Sequence, residues 1–202
     1  GADVVKAPQL NWTELMLQLM VYETGWRGRI VAYVMPTMDS RNRMVQARVN
    51  PFLLDVPAYR QRLPGADVAD LRTGEAGNLR LKRIGSGLVL FLGAKVDADF
   101  VELSCDTMII DEHDLCEEAS AENLAKGRDR LLESKEPRLF RLGNPEVPGG
   151  GIDRLYEEGD RRLYTWRCGA CGERQALAGW LAEHATTDQE KGVVRHLAFD
   201  LA

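Results

Sequence analysis

Residues 106–114, Asp106-Thr107-Met108-Ile109-Ile110-Asp111-Glu112-His113-Asp114, carry an apolar run onto two adjacent carboxylates. Such a run, bounded by polar residues, predicts a buried parallel strand. At its carboxyl end Asp111 can hold a metal ion and Glu112 can face a water molecule. A plain strand followed by a charged loop has the same outline, so the rest of the chain must decide. Residues 96–122 hold ten acidic side chains and no Lys or Arg, a density that suits a bound cation or a solvated acidic face.

A second reactive group stands near the start. Residues 2–6 read as a short strand, followed by Lys6-Ala7-Pro8-Gln9-Leu10-Asn11-Trp12-Thr13-Glu14. Residues 13–23 read as a helix with Leu15, Met16, Leu17, Leu19 and Met20 on nearly all sides, and so as a buried one. Strand, polar loop and buried helix is the layout of a phosphate-binding loop, where backbone N–H groups and the helix N-terminus cradle phosphates. Thr13 stands where a hydroxyl would hold magnesium. The usual G-x-x-x-x-G-K-[ST] pattern is absent, with Asn11 and Trp12 in place of Gly and Lys. Trp12 cannot neutralise phosphate, but Lys6 at the loop mouth can reach it from the other side. Asn11 tolerates positive φ better than most residues, and Pro8 removes one N–H donor. An ordinary βα turn also fits these residues. With this loop upstream, Asp111-Glu112 takes the form of a Walker B pair.

Further elements must position these groups. Arg29–Met35 reads as a strand ended by Pro36-Thr37. A helix from about Asp39 carries Arg41, Arg43 and Arg48 and reaches Asn50-Pro51, with a short second helix over 51–62. Residues 64–78 read as a loop. Asn78–Ile84 and Leu88–Leu92, around Gly85-Ser86-Gly87, predict a hairpin. Asp99–Ser104 reads as a short helix, Ala119–Glu133 as a longer one bearing Arg128 and Arg130, and Pro137–Leu142 as a strand ending at Gly143-Asn144-Pro145. A glycine-rich loop over 146–151, a helix over Ile152–Glu158 and a strand over Arg161–Arg167 follow. Cys168-Gly169-Ala170-Cys171-Gly172 then has the form of a zinc knuckle, a half-site supplying two of the four ligands that zinc takes. His184 and His196 are too far apart for the usual finger spacing.

The composition fits this outline. The chain has 202 residues, 45% hydrophobic and 28% charged, which suits one α/β domain with a small appendage. No stretch of about 18 apolar residues is present, so no membrane span is expected. The net charge of −5 argues against a dedicated nucleic-acid domain but allows a local basic face. Four cysteines at this length predict a reducing compartment rather than a disulfide framework. The abrupt strand at the start and the apolar-rich Val193–Ala202 suggest a piece of a longer protein.

Taken in order, these features resemble the ATPase half of the large terminase subunit of tailed bacteriophages, in its lambda-like branch. The similarity rests on Lys6 at the start of a deviant phosphate loop and on Val34-Met35-Pro36-Thr37. It rests also on the Arg-rich helix from Arg41 to Pro51 and on Ile109-Ile110-Asp111-Glu112-His113-Asp114. Gly143-Asn144-Pro145 matches the family's Ser-Thr-Pro coupling motif loosely, and Cys168 to Gly172 match its knuckle with Gly169 for Pro. The resemblance implies a three-layer P-loop NTPase of the ASCE type with a mostly parallel central sheet. Residues 1–160 would form the ATPase domain. Residues 161–202 would form a strand, the knuckle and the start of a linker to a nuclease domain that this chain lacks.

The implied cofactors are ATP and Mg²⁺, with Zn²⁺ at Cys168 and Cys171. Residues Lys6, Ala7, Pro8, Gln9, Leu10, Asn11, Trp12, Thr13 and Glu14 would bind the nucleotide, and Thr13 and Asp111 the magnesium. Glu112 would activate water, Lys6 would offset phosphate charge, and Asn144 would sense the γ-phosphate. An arginine, from Arg41, Arg43, Arg48, Arg128 and Arg130 or from a neighbouring subunit, would stabilise the transition state, with Arg48 and Arg130 put forward. The implied partners are double-stranded DNA, the portal protein, the small terminase subunit and further copies in a ring, in the host cytoplasm and outside the finished virion. No membrane partner and no nuclease activity are expected. A superfamily-2-like helicase core, or a nucleotide-free P-loop-like module that binds DNA or capsid protein, are the rival readings.

Overall fold

A computed structural model of the chain describes residues 1–6, 11–65, 68, 78–101, 103–162, 165–169, 171–176, 185–188 and 193–197. The chain forms two compact units, Gly1–Gly159 and Asp160–Ala202. In the first, β1 (Ala2–Val5), α1 (Trp12–Gly25) and β2 (Ile30–Met35) lead into α2 (Met38–Met44), a π-helical segment (Val45–Val49), α3 (Asn50–Asp55) and α4 (Pro57–Arg60). Then come β3 (Leu81–Ile84), β4 (Gly87–Gly93), α5 (Ala98–Val101), β5 (Thr107–Asp111), α6 (His113–Leu131), β6 (Arg138–Gly143) and α7 (Gly151–Glu158).

The six strands form one sheet in the order β1-β6-β5-β2-β4-β3, parallel throughout except for β3 against β4. Apolar side chains cover both faces, which is why these strands read as continuous apolar runs rather than alternating ones. Tyr33, Phe91, Ile109 and Leu142 face one core with Met16, Leu17 and Met20 of α1. Val34, Leu92, Met108 and Ile110 face the other with Phe100 of α5 and Cys116 and Leu124 of α6. The result is a three-layer α/β fold. An additional strand, β6, stands between β1 and β5, and a glutamate follows β5, as the ASCE layout requires. The carboxyl ends of β1, β5 and β6 lie side by side, the edge where open α/β sheets place their ligands.

The helix expected over 51–62 is two, α3 and α4, parted at the extended Val56, and other expectations differ as well. The helix expected from Ala119 begins at His113. Its two halves meet at Ser120, which is non-helical (φ −169°, ψ 92°) and whose Oγ accepts from Asn123 N at 3.2 Å. Ser120 thus caps the second half. Of the strand expected over Arg161–Arg167, Thr165–Arg167 is a strand, residues 161 and 162 are not, and residues 163 and 164 lie outside the described residues. Leu15, expected inside, is 46% exposed, because α1 buries one side and leaves this one open. Most of the loop expected over 64–78 lies outside the described residues.

In the second unit β7 (Thr165–Arg167) pairs antiparallel with β8 (Arg174–Ala176), and β9 (Ala185–Asp188) with β10 (Val193–Leu197). The β7–β8 turn carries the cysteines. Gly172 N donates to Cys168 O and Cys168 N to Glu173 O, both at 2.9 Å, and Gly172 takes a φ of +76° that suits glycine.

Candidate functional site

The site is built where β1 and β5 end. β1 pairs with β6, and Lys6 N continues that pairing by donating to Gly143 O at 2.9 Å. This fixes Lys6 one residue past the strand, and its side chain turns to the end of β5. Its Nζ lies 2.7 Å from Asp111 Oδ1 and 2.7 Å from Glu112 Oε1. Burial works to lower the Lys6 pKa. The Asp111 charge, with hydrogen bonds to Asp111 and Glu112, outweighs that and holds it above the ordinary 10.5.

Asp111 is almost fully buried and every oxygen is engaged. Oδ1 accepts from Lys6 Nζ and from Glu112 N at 3.1 Å. Oδ2 accepts from Thr13 Oγ1 at 3.0 Å and from Tyr33 Oη at 2.9 Å. Glu112 is more open, and its backbone is left-handed at φ 57°, ψ 58°. For a glutamate that conformation is unfavourable, and such strain concentrates at functional sites. It ends β5 in one residue, and Cys116 N then donates to Glu112 O at 3.0 Å to start α6.

Thr13 arrives from the first turn of α1. The cap residue of that helix is Asn11, also left-handed at φ 55°, ψ 24°, where a residue tolerant of positive φ is needed. Trp12 packs partly buried against the core around α1, which accounts for an aromatic residue at the position of the usual lysine. Glu14 is exposed. Ala7, Pro8, Gln9 and Leu10 lie outside the described residues.

The remaining expected residues divide. Asn144 follows β6 and is exposed at the same edge of the sheet. Arg48 is exposed on the π-helical segment. Tyr33 has its pKa raised well above 10.0 by burial and by the Asp111 charge, and Arg48 opposes that rise. Arg48 is therefore near enough for its charge to act on Tyr33. Arg130 is not brought there. It pairs with Glu133 at the far end of α6, where Ser134 Oγ donates to Asp106 Oδ1 at 2.7 Å at the opposite end of β5. Arg41 is buried against Asn42 Oδ1, Arg43 is exposed, and Arg128 lines a shallow cleft with His113, Glu117, Arg141 and Arg154.

Two residues join the site without having been assigned a role from sequence. Tyr33 supports Asp111, and its signal was a lone polar aromatic in the apolar strand Ile30–Met35, since a buried Tyr hydroxyl finds a partner. Asp114 ties α6 to the loop after β6. Its Oδ1 accepts from Ile152 N at 2.7 Å and its Oδ2 from Glu146 N at 3.2 Å. Gly151, at φ +46°, leaves room for that carboxylate, which would lie 2.4 Å from an added Cβ.

A hard cation fits this donor set. Thr13 and Asp111 offer oxygen ligands to one point, and the Lys6 ammonium shows that the carboxylates gather positive charge there. Zinc is less well served. Cys168 is half-buried and Cys171 exposed, and no group of three or more His, Cys, Asp or Glu side chains able to hold a metal forms among the described residues. His184 lies outside the described residues, as does the side chain of His196. No helix among the described residues is long and apolar enough to cross a membrane.

The sequence model of the family described as "Phage terminase large subunit gpA, ATPase domain" matches residues 2–196. The large terminase subunit of Enterobacteria phage P21 is 26% identical over 182 residues, covering 87% of this chain and 28% of that protein. The chain thus spans little more than a quarter of the relative it matches. Among solved structures, the Thermus phage P74-26 large terminase ATPase domain aligns at a TM-score of 0.48 and 16% identity, over 84% of this chain and 68% of that one. The T. fusca Cas3–ADP structure aligns at 0.41 and 17%, over 79% and 20%.

Proposed function

The chain belongs to the family of phage terminase large subunit gpA ATPase domains, and on that premise we propose that it binds ATP at the carboxyl ends of β1, β5 and β6 and hydrolyses it to drive double-stranded DNA into a procapsid. What supports the site is one observation: Lys6, Thr13, Asp111 and Glu112 converge from three separate elements within hydrogen-bonding distance. Family membership takes the place of the helicase-core reading.

In this proposal Lys6 exchanges its two carboxylates for the β- and γ-phosphates of ATP, and residues 7–14, which include the start of α1, would enclose the phosphate chain. Thr13 and Asp111 would hold Mg²⁺, which when bound neutralises charge on the phosphate oxygens. Glu112, released from Lys6, orients the attacking water and takes its proton. Asn144 reads the γ-phosphate from the end of β6. Arg48 offers transition-state charge within the subunit, and a neighbour in a ring can supply another.

The partners proposed are DNA, the portal protein, the small subunit and further copies of the chain, in the host cytoplasm. Residues 161–202 would lead towards a nuclease domain, with no nuclease activity in this chain itself. Cys168 and Cys171 would form half of a zinc site completed by ligands elsewhere. Thermal melting with Mg-ATP tests the nucleotide reading. Binding to the native state raises stability by RT ln(1 + [L]/Kd), about 2.7 kcal/mol at a hundredfold excess over Kd. A melting point unmoved at millimolar Mg-ATP would refute the reading.

A further inference from the structure

Tyr33 is the one polar side chain of β2 and is fully buried. Its ring packs against Phe91, with centroids 6.1 Å apart, and its register places it beside Ile109 of β5. Two residues further along β5 stands Asp111, and the Tyr33 hydroxyl donates to its Oδ2 at 2.9 Å. We propose that Tyr33 is a positioning residue that fixes the Asp111 carboxylate for a divalent cation. The proposal deepens the nucleotide-site reading and rests on it.

The argument follows from the four donors around Asp111. A carboxylate offers about four lone-pair sites, and here Lys6 Nζ, Glu112 N, Thr13 Oγ1 and Tyr33 Oη take them all. Lys6 and Thr13 are the two that nucleotide and cation recruit. Their departure frees one site on each oxygen. The donors that stay are Glu112 N on Oδ1 and Tyr33 Oη on Oδ2. One is backbone, and the other is the tip of a ring locked in the core. Together they hold the carboxylate plane while its outer lone pairs change partners. Without the tyrosine hydroxyl, Oδ2 keeps only the Thr13 hydroxyl, which must then serve Asp111 and the cation at once. Outer partners of metal-binding carboxylates act in this way, and losing one typically weakens metal affinity by about 10- to 100-fold.

The test uses Tyr33→Phe, which keeps the ring and its packing and removes one oxygen. The melting point is followed while Mg²⁺ is titrated at fixed ATP, and ATP binding is measured separately in EDTA. The expected result is a Mg²⁺ midpoint raised by about 10- to 100-fold with metal-free ATP binding unchanged. Thr107→Val serves as the structural control. Its buried hydroxyl has no hydrogen-bond partner among the described residues and stands at the opposite end of β5 from Asp111, so its Mg²⁺ midpoint should match the wild type. A Tyr33→Phe midpoint within twofold of wild type would overturn the proposal while leaving the nucleotide site intact. A wild-type chain with no Mg-ATP response would overturn both.

Discussion

Replacing Lys6 by alanine separates its part as a buried counter-ion, which the structure sizes, from the phosphate-binding role proposed for it. Lys6 is the counter-ion of a nearly buried carboxylate, with side-chain exposures of 10% for Lys6 and 3% for Asp111. Removing one partner of a buried pair costs about 3–5 kcal/mol. Asp111 keeps three other donors, which favours the lower end. The second pair, to a Glu112 side chain 36% exposed, adds at most about 1 kcal/mol. A loss near 3 kcal/mol corresponds to a melting point lowered by roughly 6–12 °C in a chain of this size. The nucleotide role is read independently. A charged hydrogen bond to phosphate contributes about 1.5–3 kcal/mol, so ATP should bind about 10- to 150-fold more weakly. Calorimetric melting and an ATP titration of Lys6→Ala measure the two effects. A melting point within 2 °C of wild type would refute the buried-pair reasoning. Lower stability with unchanged ATP affinity would leave Lys6 as a structural counter-ion and remove it from the phosphate site.

Asp114→Ala removes the acceptor of Ile152 N and Glu146 N, and helix-cap losses of this kind cost about 0.5–2 kcal/mol. Amide hydrogen exchange over 146–152 should quicken by a factor of a few to about thirty, and unchanged exchange would show that the tie carries no load. Thiol labelling should distinguish the cysteines. Burial, helped by the Asp106 charge, pushes the Cys105 thiol up to about 12, and burial raises Cys116 further from the ordinary 9.0. Thiolate is the reactive form, so a disulfide reagent at pH 8 should leave the buried Cys105 and Cys116 unmodified in the native chain and reach both after denaturation. Between about pH 9 and 12 the native chain keeps the Cys105 proton that the unfolded chain loses, so stability should fall as pH rises through that window. Rapid native labelling of four thiols would contradict this.

Much of the fold was legible because both faces of the sheet are buried. Ile30–Met35 and Thr107–Asp111 announce themselves as apolar runs, and Gly85-Ser86-Gly87 marks the β3–β4 hairpin. The carboxylates were legible for the same reason, since polar residues stand out where such a run stops. What escaped was tertiary. Nothing near His113 signals a helix start, because the start depends on the left-handed turn at Glu112 and on Asp114 reaching the loop after β6. Tyr33 and Asp111 lie 78 residues apart in sequence, and only the β2–β5 register brings them together. Trp12, read as a departure from the phosphate-loop pattern, has a packing role that becomes visible only with the core in place.

The central claim is that Glu112 activates water at a nucleotide site assembled with Lys6, Thr13 and Asp111. Glu112→Gln keeps the size of the side chain and its hydrogen bond to Lys6 while removing its basicity. Turnover of ATP and binding of ATP should both be measured on this variant. Turnover reduced at least 100-fold, in line with loss of a general base, with ATP affinity within a few-fold of wild type, is the expected result. Turnover at the wild-type rate would contradict the assignment of the site.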